Sequence, residues 1–218
     1  MAFCFSCERK AKNSADIAAS HADTVKAKPK QEKKITGNFW IDRFGITRDP
    51  NKDSIAGKAV KNYLNDPQVA QIAKDFYTGK FRPTDNDSTT YLLGLVNTKD
   101  NQLRSFYRWC LDETINIADG AVGEYPGRPA LQYAIANPEE FITYMDNDTS
   151  GKRYGKWVEI ISYSGLSNYT DNYNTKDFDK VKKKITTDLL SNCSSCSIEI
   201  RNKIKKTSAD IVLGLKNQ

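Results

Sequence analysis

The sequence predicts a mainly α-helical protein, a single-domain irregular bundle of about seven to nine helices spanning residues 35–218. Three observations lead there. Apolar residues at 103, 106, 107, 110, 111, 114, 117 and 118 recur at steps of three and four, the period of one helix face. Helix start signals recur ahead of such stripes, as at Asp66-Pro67 and Asn137-Pro138. The one segment with strand-like composition, residues 157–163, has no second run to pair with, and an isolated strand is not stable. With 39% hydrophobic residues, 11 Tyr, 9 Phe and 3 Trp, the chain is too apolar and too aromatic to stay unfolded.

The elements follow in order. An aromatic segment over 37–46 opens the body. Asp53 is placed to cap a helix over 54–64, with Ile55, Ala59, Tyr63 and Leu64 on one stripe. Asp66-Pro67 opens the next, carrying Val69, Ile72, Ala73, Phe76 and Tyr77, and Gly79 ends it. Ser88 or Thr89 can cap a helix over 91–96, and the strongest helix runs over 101–118. Pro129 opens a helix through Ala136; Asn137 caps another, with Glu140 positioned to complete a capping box. Residues 157–163 are read as helix, 164–175 as a Ser/Asn/Tyr/Thr loop, and 176–190 and 198–215 as two final helices.

The formal charge of +6 is unevenly spread. Residues 1–34 carry +4, residues 35–175 carry −3, and residues 176–218 carry +5. The body is therefore mildly acidic. Lys182, Lys183, Lys184, Lys203, Lys205 and Lys206 cluster without the aromatic platforms of a nucleic-acid groove, so they read as solvated helix faces. A single histidine, His21, lies in the predicted tether, which argues against a histidine metal centre or a His-based triad. No phosphate loop, dinucleotide fingerprint, G-x-S-x-G or H-E-x-x-H is present, and no cofactor is implied.

Residues 1–7 read Met-Ala-Phe-Cys-Phe-Ser-Cys, an apolar run ending at Cys7, followed by charged residues and a polar stretch to Lys34. This resembles the end of a bacterial lipoprotein signal peptide, with Ser6 as the small residue before the lipidated cysteine, Cys7. The resemblance implies that Met1 lies inside a longer signal. It implies also that Cys7 is the anchor, that residues 8–34 form a flexible tether, and that the protein sits at a bacterial envelope membrane, periplasmic or outer. The alternative is a cytoplasmic protein with a short apolar start.

Five cysteines stand at 4, 7, 110, 193 and 196. Cys110 falls on the apolar face of the 101–118 helix and reads as a buried thiol. Cys193-Ser-Ser-Cys196 admits three readings: a local disulfide pinning the turn between two helices, a redox pair, or half of a zinc site completed by Cys4 and Cys7. The disulfide is expected in an oxidising compartment.

The densest polar constellation spans 112–129. Asp112, Asn116 and Asp119 share a helix face, and Gly120, Gly123 and Gly127 make the loop that carries Glu124, Tyr125 and Arg128. Asp119 and Glu124 could act as acid and base in glycan cleavage. On the structural reading, Asp112 and Asn116 form a polar outer face and Glu124 pairs with Arg128. Tyr163, Tyr169 and Tyr173, interleaved with asparagines, have the composition of an adaptable contact surface, and Tyr125 and Arg128 are anchor types. The expected function is therefore contact with a protein partner. An envelope-tethered, non-catalytic helical protein fits, either immunity- or inhibitor-like or an accessory subunit, with the membrane reached only through the lipid. The alternative is a carboxylate-dependent hydrolase of the glycan or cell-wall type, using the region of Asp119 and Glu124.

Overall fold

The computed structural model describes residues 53–170 and 177–218, together with Asp42. A two-residue hairpin pairs β1 (Ser54–Ile55) with β2 (Lys58–Ala59), in the register Ser54 to Ala59 and Ile55 to Lys58. Nine helices follow among the described residues: α1 (Val60–Asn65), α2 (Gln71–Tyr77), α3 (Asp87–Gly94), α4 (Asn101–Ile117), α5 (Gly127–Ala136), α6 (Pro138–Asp146), α7 (Lys152–Ser164), α8 (Phe178–Ser191) and α9 (Ile198–Lys216). Short 3₁₀ turns occupy Leu95–Asn97 and Gly120–Glu124. The architecture is mainly α, a single irregular bundle. Segment 37–46, the tether and Cys7 lie outside the described residues.

The departures from expectation are local. Residues 54–64 are not one helix, because Ala56 and Gly57 both take positive φ (50° and 78°), which closes a hairpin and cannot continue a right-handed helix. Asp66 bends the chain instead of opening α2: its side chain accepts from Gln68 N at 2.9 Å, and the helix begins at Gln71. Asn86 caps α3 through Thr89 N at 3.1 Å, while Thr89 itself is fully buried with its hydroxyl 2.6 Å from Thr84 O. Asn137 makes no side-chain cap on α6. Glu140 turns away from the expected capping box toward α4, where two arginines compete for it.

The final pair meets expectation. Asp177 caps α8 through Lys180 N, and Ser197 caps α9 through Ile200 N. Cys193 and Cys196 form a disulfide in the turn between them, with Cα atoms 5.0 Å apart. Arg201, in the first turn of α9, donates to the carbonyls of Cys193 (2.7 Å), Ser194 (2.9 Å) and Cys196 (3.2 Å), so the turn is held both covalently and by a side chain.

α4 is the central helix: from Leu103 to Ile115 every residue but Ser105 is buried. Its N-terminal half packs against one aromatic cluster, in which Phe106 stacks on Tyr63 and Trp109 meets Phe76 and Tyr77. A second cluster gathers Tyr133, Phe141 and Tyr144 around the fully buried Trp157. α5 and α7 approach so closely that a Cβ on Gly127 would stand 2.4 Å from Ile160 O, and one on Gly165 would stand 2.7 Å from Gly127 O. α9 closes on α7 in the same way, with Gly214 facing the Ser162 hydroxyl.

Candidate functional site

These approaches place the glycine loop against the C-terminal half of α7. The Ser164 hydroxyl lies 3.1 Å from Gly123 O and accepts from Gly127 N at 3.2 Å, which fastens the Gly120–Glu124 turn to α7. The turn, the end of α4, α7 and the end of α9 border a groove of about 790 Å³. Its apolar wall includes Ile115, Ala118, Val158 and Ile160; Asp119, Lys156, Glu159 and Tyr163 supply polar groups. That volume lies within the range of small-ligand clefts, roughly 300–1,000 Å³.

The groove sorts the residues singled out by sequence. Asp119 is exposed and lines it; Glu124 is exposed and does not. The second carboxylate on the wall is Glu159, which the sequence reading did not single out. Tyr163 lines the groove with 45% of its surface exposed. Tyr125 is half-buried and turns the other way, its hydroxyl bonded to Asp85; that hydrogen bond pushes the phenol above its ordinary value. Arg128 is exposed in the first turn of α5, and no ion pair joins it to Glu124 among the described residues. Tyr169 is tied down, donating to Asp188 at 2.6 Å with Lys184 over its ring, and burial raises its phenol. Tyr173 lies outside the described residues. The structure therefore brings Asp119 and Tyr163 to one groove, and leaves Tyr125 and Tyr169 engaged elsewhere.

A second constellation escaped the sequence reading. Arg104, Arg108 and Asp112, at steps of four along α4, form a buried polar seam. Glu140 accepts from Arg104 Nε at 2.9 Å and from Arg108 Nη1 at 2.5 Å. Tyr144 is sandwiched between two guanidiniums, Arg108 at 4.0 Å and Arg153 at 4.1 Å from the ring centre. Asp112, only 8% exposed, accepts from Trp157 Nε1 at 2.6 Å and from Arg153 Nε at 3.4 Å. Asp112 is thus an interior acceptor and not part of a polar outer face. Burial, with the Asp112 charge, pushes the Tyr144 phenol well up. Only Asn116, which accepts from Lys156 Nζ at 2.7 Å, remains exposed on that stripe. The signal in the sequence was charge on the apolar stretch of a long helix, Arg104, Arg108, Asp112 and Glu113 among Leu103, Phe106, Trp109 and Leu111: where such a helix is buried around most of its circumference, charged residues must be paired.

Among the described residues no group of three His, Cys, Asp or Glu side chains gathers to hold a metal, and no helix is long and apolar enough to cross a membrane. The fold and site together define a mainly helical single bundle with a buried salt-bridged seam and an open groove beside a glycine turn. No family model, curated protein or solved structure matches the chain.

Proposed function

We propose that this chain is a non-catalytic protein tethered to a bacterial envelope membrane through a lipid on Cys7, acting by contact with a protein partner as an inhibitor-like or accessory subunit. The observation that supports contact is Tyr163: a large aromatic left 45% exposed on the wall of an open groove, beside a turn that the Ser164 hydroxyl fastens to α7. Tyrosine offers a large contact area at small entropic cost, and a rigid surround lowers that cost further. Arg128, exposed in the first turn of α5 and without an ion pair among the described residues, is a second candidate anchor.

Site-specific photo-crosslinking in the native host tests this reading. A photoreactive residue at 163 should give a discrete higher-mass adduct, while one at Tyr91, which is 58% exposed on α3, should not. Equal adducts at both positions, or none at 163, would overturn the contact surface. Metabolic labelling with a fatty acid, lost on Cys7→Ser, tests the anchor. The competing reading, a carboxylate-dependent hydrolase, draws on the two carboxylates of the groove, Asp119 and Glu159, in place of Asp119 and Glu124. Turnover of cell-wall glycan abolished by Asp119→Asn would favour it.

A further inference from the structure

α8 and α9 run antiparallel: the Cys193–Cys196 disulfide joins one end of the pair, and at the other Lys216 Nζ lies 4.9 Å from the centre of the Phe178 ring. α9 turns Ile204, Ser208, Ile211 and Leu215 into the core. Its opposite stripe runs Ile198, Asn202, Lys205, Ala209, Leu213 and Lys216, at steps of three and four over about five helical turns. Two large apolar side chains stand in water on that stripe, Ile198 at 78% and Leu213 at 57% exposed. On α8, Lys182 follows Phe178 by one turn on the side facing α9, which brings it level with Leu213. Lys183 and Lys180, three residues apart, continue the exposed surface of α8.

The charge of this surface is unbalanced. Lys180, Lys182, Lys183, Lys205 and Lys216 are exposed, and none has an ion pair among the described residues. Most acidic side chains of the two helices are engaged elsewhere: Asp188 accepts from Tyr169, Glu199 pairs with Lys203, and Asp210 pairs with Lys206. That leaves Asp179 against these lysines. The ring among them, Phe178, is half-buried with Lys216 over it.

We infer that the outer face of α8 and α9 docks on an anionic phospholipid surface. Both parts of the pattern are then used. The ammonium groups meet headgroup phosphates, and Leu213 and Ile198 reach the acyl boundary with α9 lying along the membrane plane. Lysine stems are long enough to hold the charges at phosphate level while the apolar side chains go deeper. A nucleic acid would use the charge alone: its backbone offers no apolar layer to Leu213, and the stripe has no ring on which bases could stack. The inference goes beyond the lipid anchor and needs neither that lipid nor the Tyr163 contact.

The test is flotation of the full chain carrying Cys7→Ser with vesicles of phosphatidylcholine, alone or with about one-third phosphatidylglycerol. The anionic vesicles should carry at least about tenfold more protein than the neutral ones, and most of that binding should be lost between about 0.05 and 0.5 M salt. The triple variant Lys182→Gln, Lys183→Gln, Lys205→Gln should lower the partition about tenfold or more. The same loss of charge at Lys61, Lys80 and Lys99, exposed on α1 and on the loops after α2 and before α4, should change it less than about twofold. Leu213→Ser should weaken it about threefold or more. No binding to the anionic vesicles, with or without retention on a DNA duplex, equal losses from the two triple variants, or binding untouched by Leu213→Ser would overturn the docking face. Because Cys7 is replaced throughout, such a failure leaves the lipid anchor standing, and a failure of fatty-acid labelling leaves this face standing.

Discussion

Removing the Asp112 carboxylate is the most direct trial of the buried seam. In Asp112→Ala, Trp157 Nε1 loses its 2.6 Å acceptor inside a residue with no exposed surface. A buried donor left unpaired costs about 1–3 kcal/mol. Arg153 loses its counter-charge too, but its side chain is 19% exposed, its bond to Asp112 is long at 3.4 Å, and it still donates to Tyr144 O at 2.9 Å. That loss adds about 1 kcal/mol, well below the cost of stranding a fully buried charge. Asp112→Ala should therefore destabilise the protein by about 2–4 kcal/mol. Asp112→Asn, which can keep an oxygen on Trp157, should cost about 1 kcal/mol. Urea unfolding followed by far-UV circular dichroism measures both. A double-mutant cycle with Trp157→Phe, which removes the donor and keeps most of the ring, should return a coupling of about 1–2 kcal/mol. A cost for Asp112→Ala below about 0.5 kcal/mol, or a coupling near zero, would refute the claim that Asp112 is an interior acceptor for Trp157.

Gly127→Ala should destabilise by about 1–3 kcal/mol, because its Cβ meets the backbone of α7 at Ile160 O and Gly165 N; Gly155→Ala, in open space on α7, should stabilise by about 0.5–1 kcal/mol. Thermal denaturation showing the two changes alike would contradict the close approach of α5 and α7. The Arg153 amide, with Ser150, lowers Asp148 from 3.8 to about 2, so its stabilising contribution is complete above about pH 4 and fades as the pH falls toward 2. Asp148→Asn should flatten the acid limb of the stability curve within that window, and an unchanged limb would exclude the effect. Peptide mapping after alkylation should leave residues 110, 193 and 196 unlabelled in the native protein: Cys110 is fully buried and its thiol is pushed well up by burial and Glu113, while the other two are disulfide-bonded. Denaturation alone should expose Cys110, and reductant should be needed for the other two; labelling of Cys193 without reductant would remove the disulfide.

Much of the helical scaffold is written locally. The stripe from Leu103 to Ile117 and the apolar stripes of the last two helices involve neighbours within a turn or two, so α4, α8 and α9 could be read from spacing; the same spacing left Cys193 and Cys196 open among a disulfide, a redox pair and half a zinc site, and the structure joins them in a disulfide. The hairpin at Ser54 could not be read this way: Ile55 and Ala59 also fit a helical stripe, and the choice fell to the backbone at Ala56 and Gly57 and to the burial of Ile55. The polar residues were decided furthest away. A charged side chain on an amphipathic stripe reads as outward-facing, yet α4 has neighbours around most of its circumference and its charges have no outward face to occupy. Their partners come from 32 to 45 residues downstream: Glu140 for Arg104 and Arg108, Arg153 and Trp157 for Asp112. The same holds for the groove, whose wall at Tyr163 and Glu159 meets Asp119 only because the glycines at 127 and 165 let α5 and α7 touch backbone to backbone. Spacing along a chain reports which residues share a face; which faces are covered, and which charges must then find a partner, is set by the packing of distant helices, since an unpaired charge is tolerated in water and not in a core.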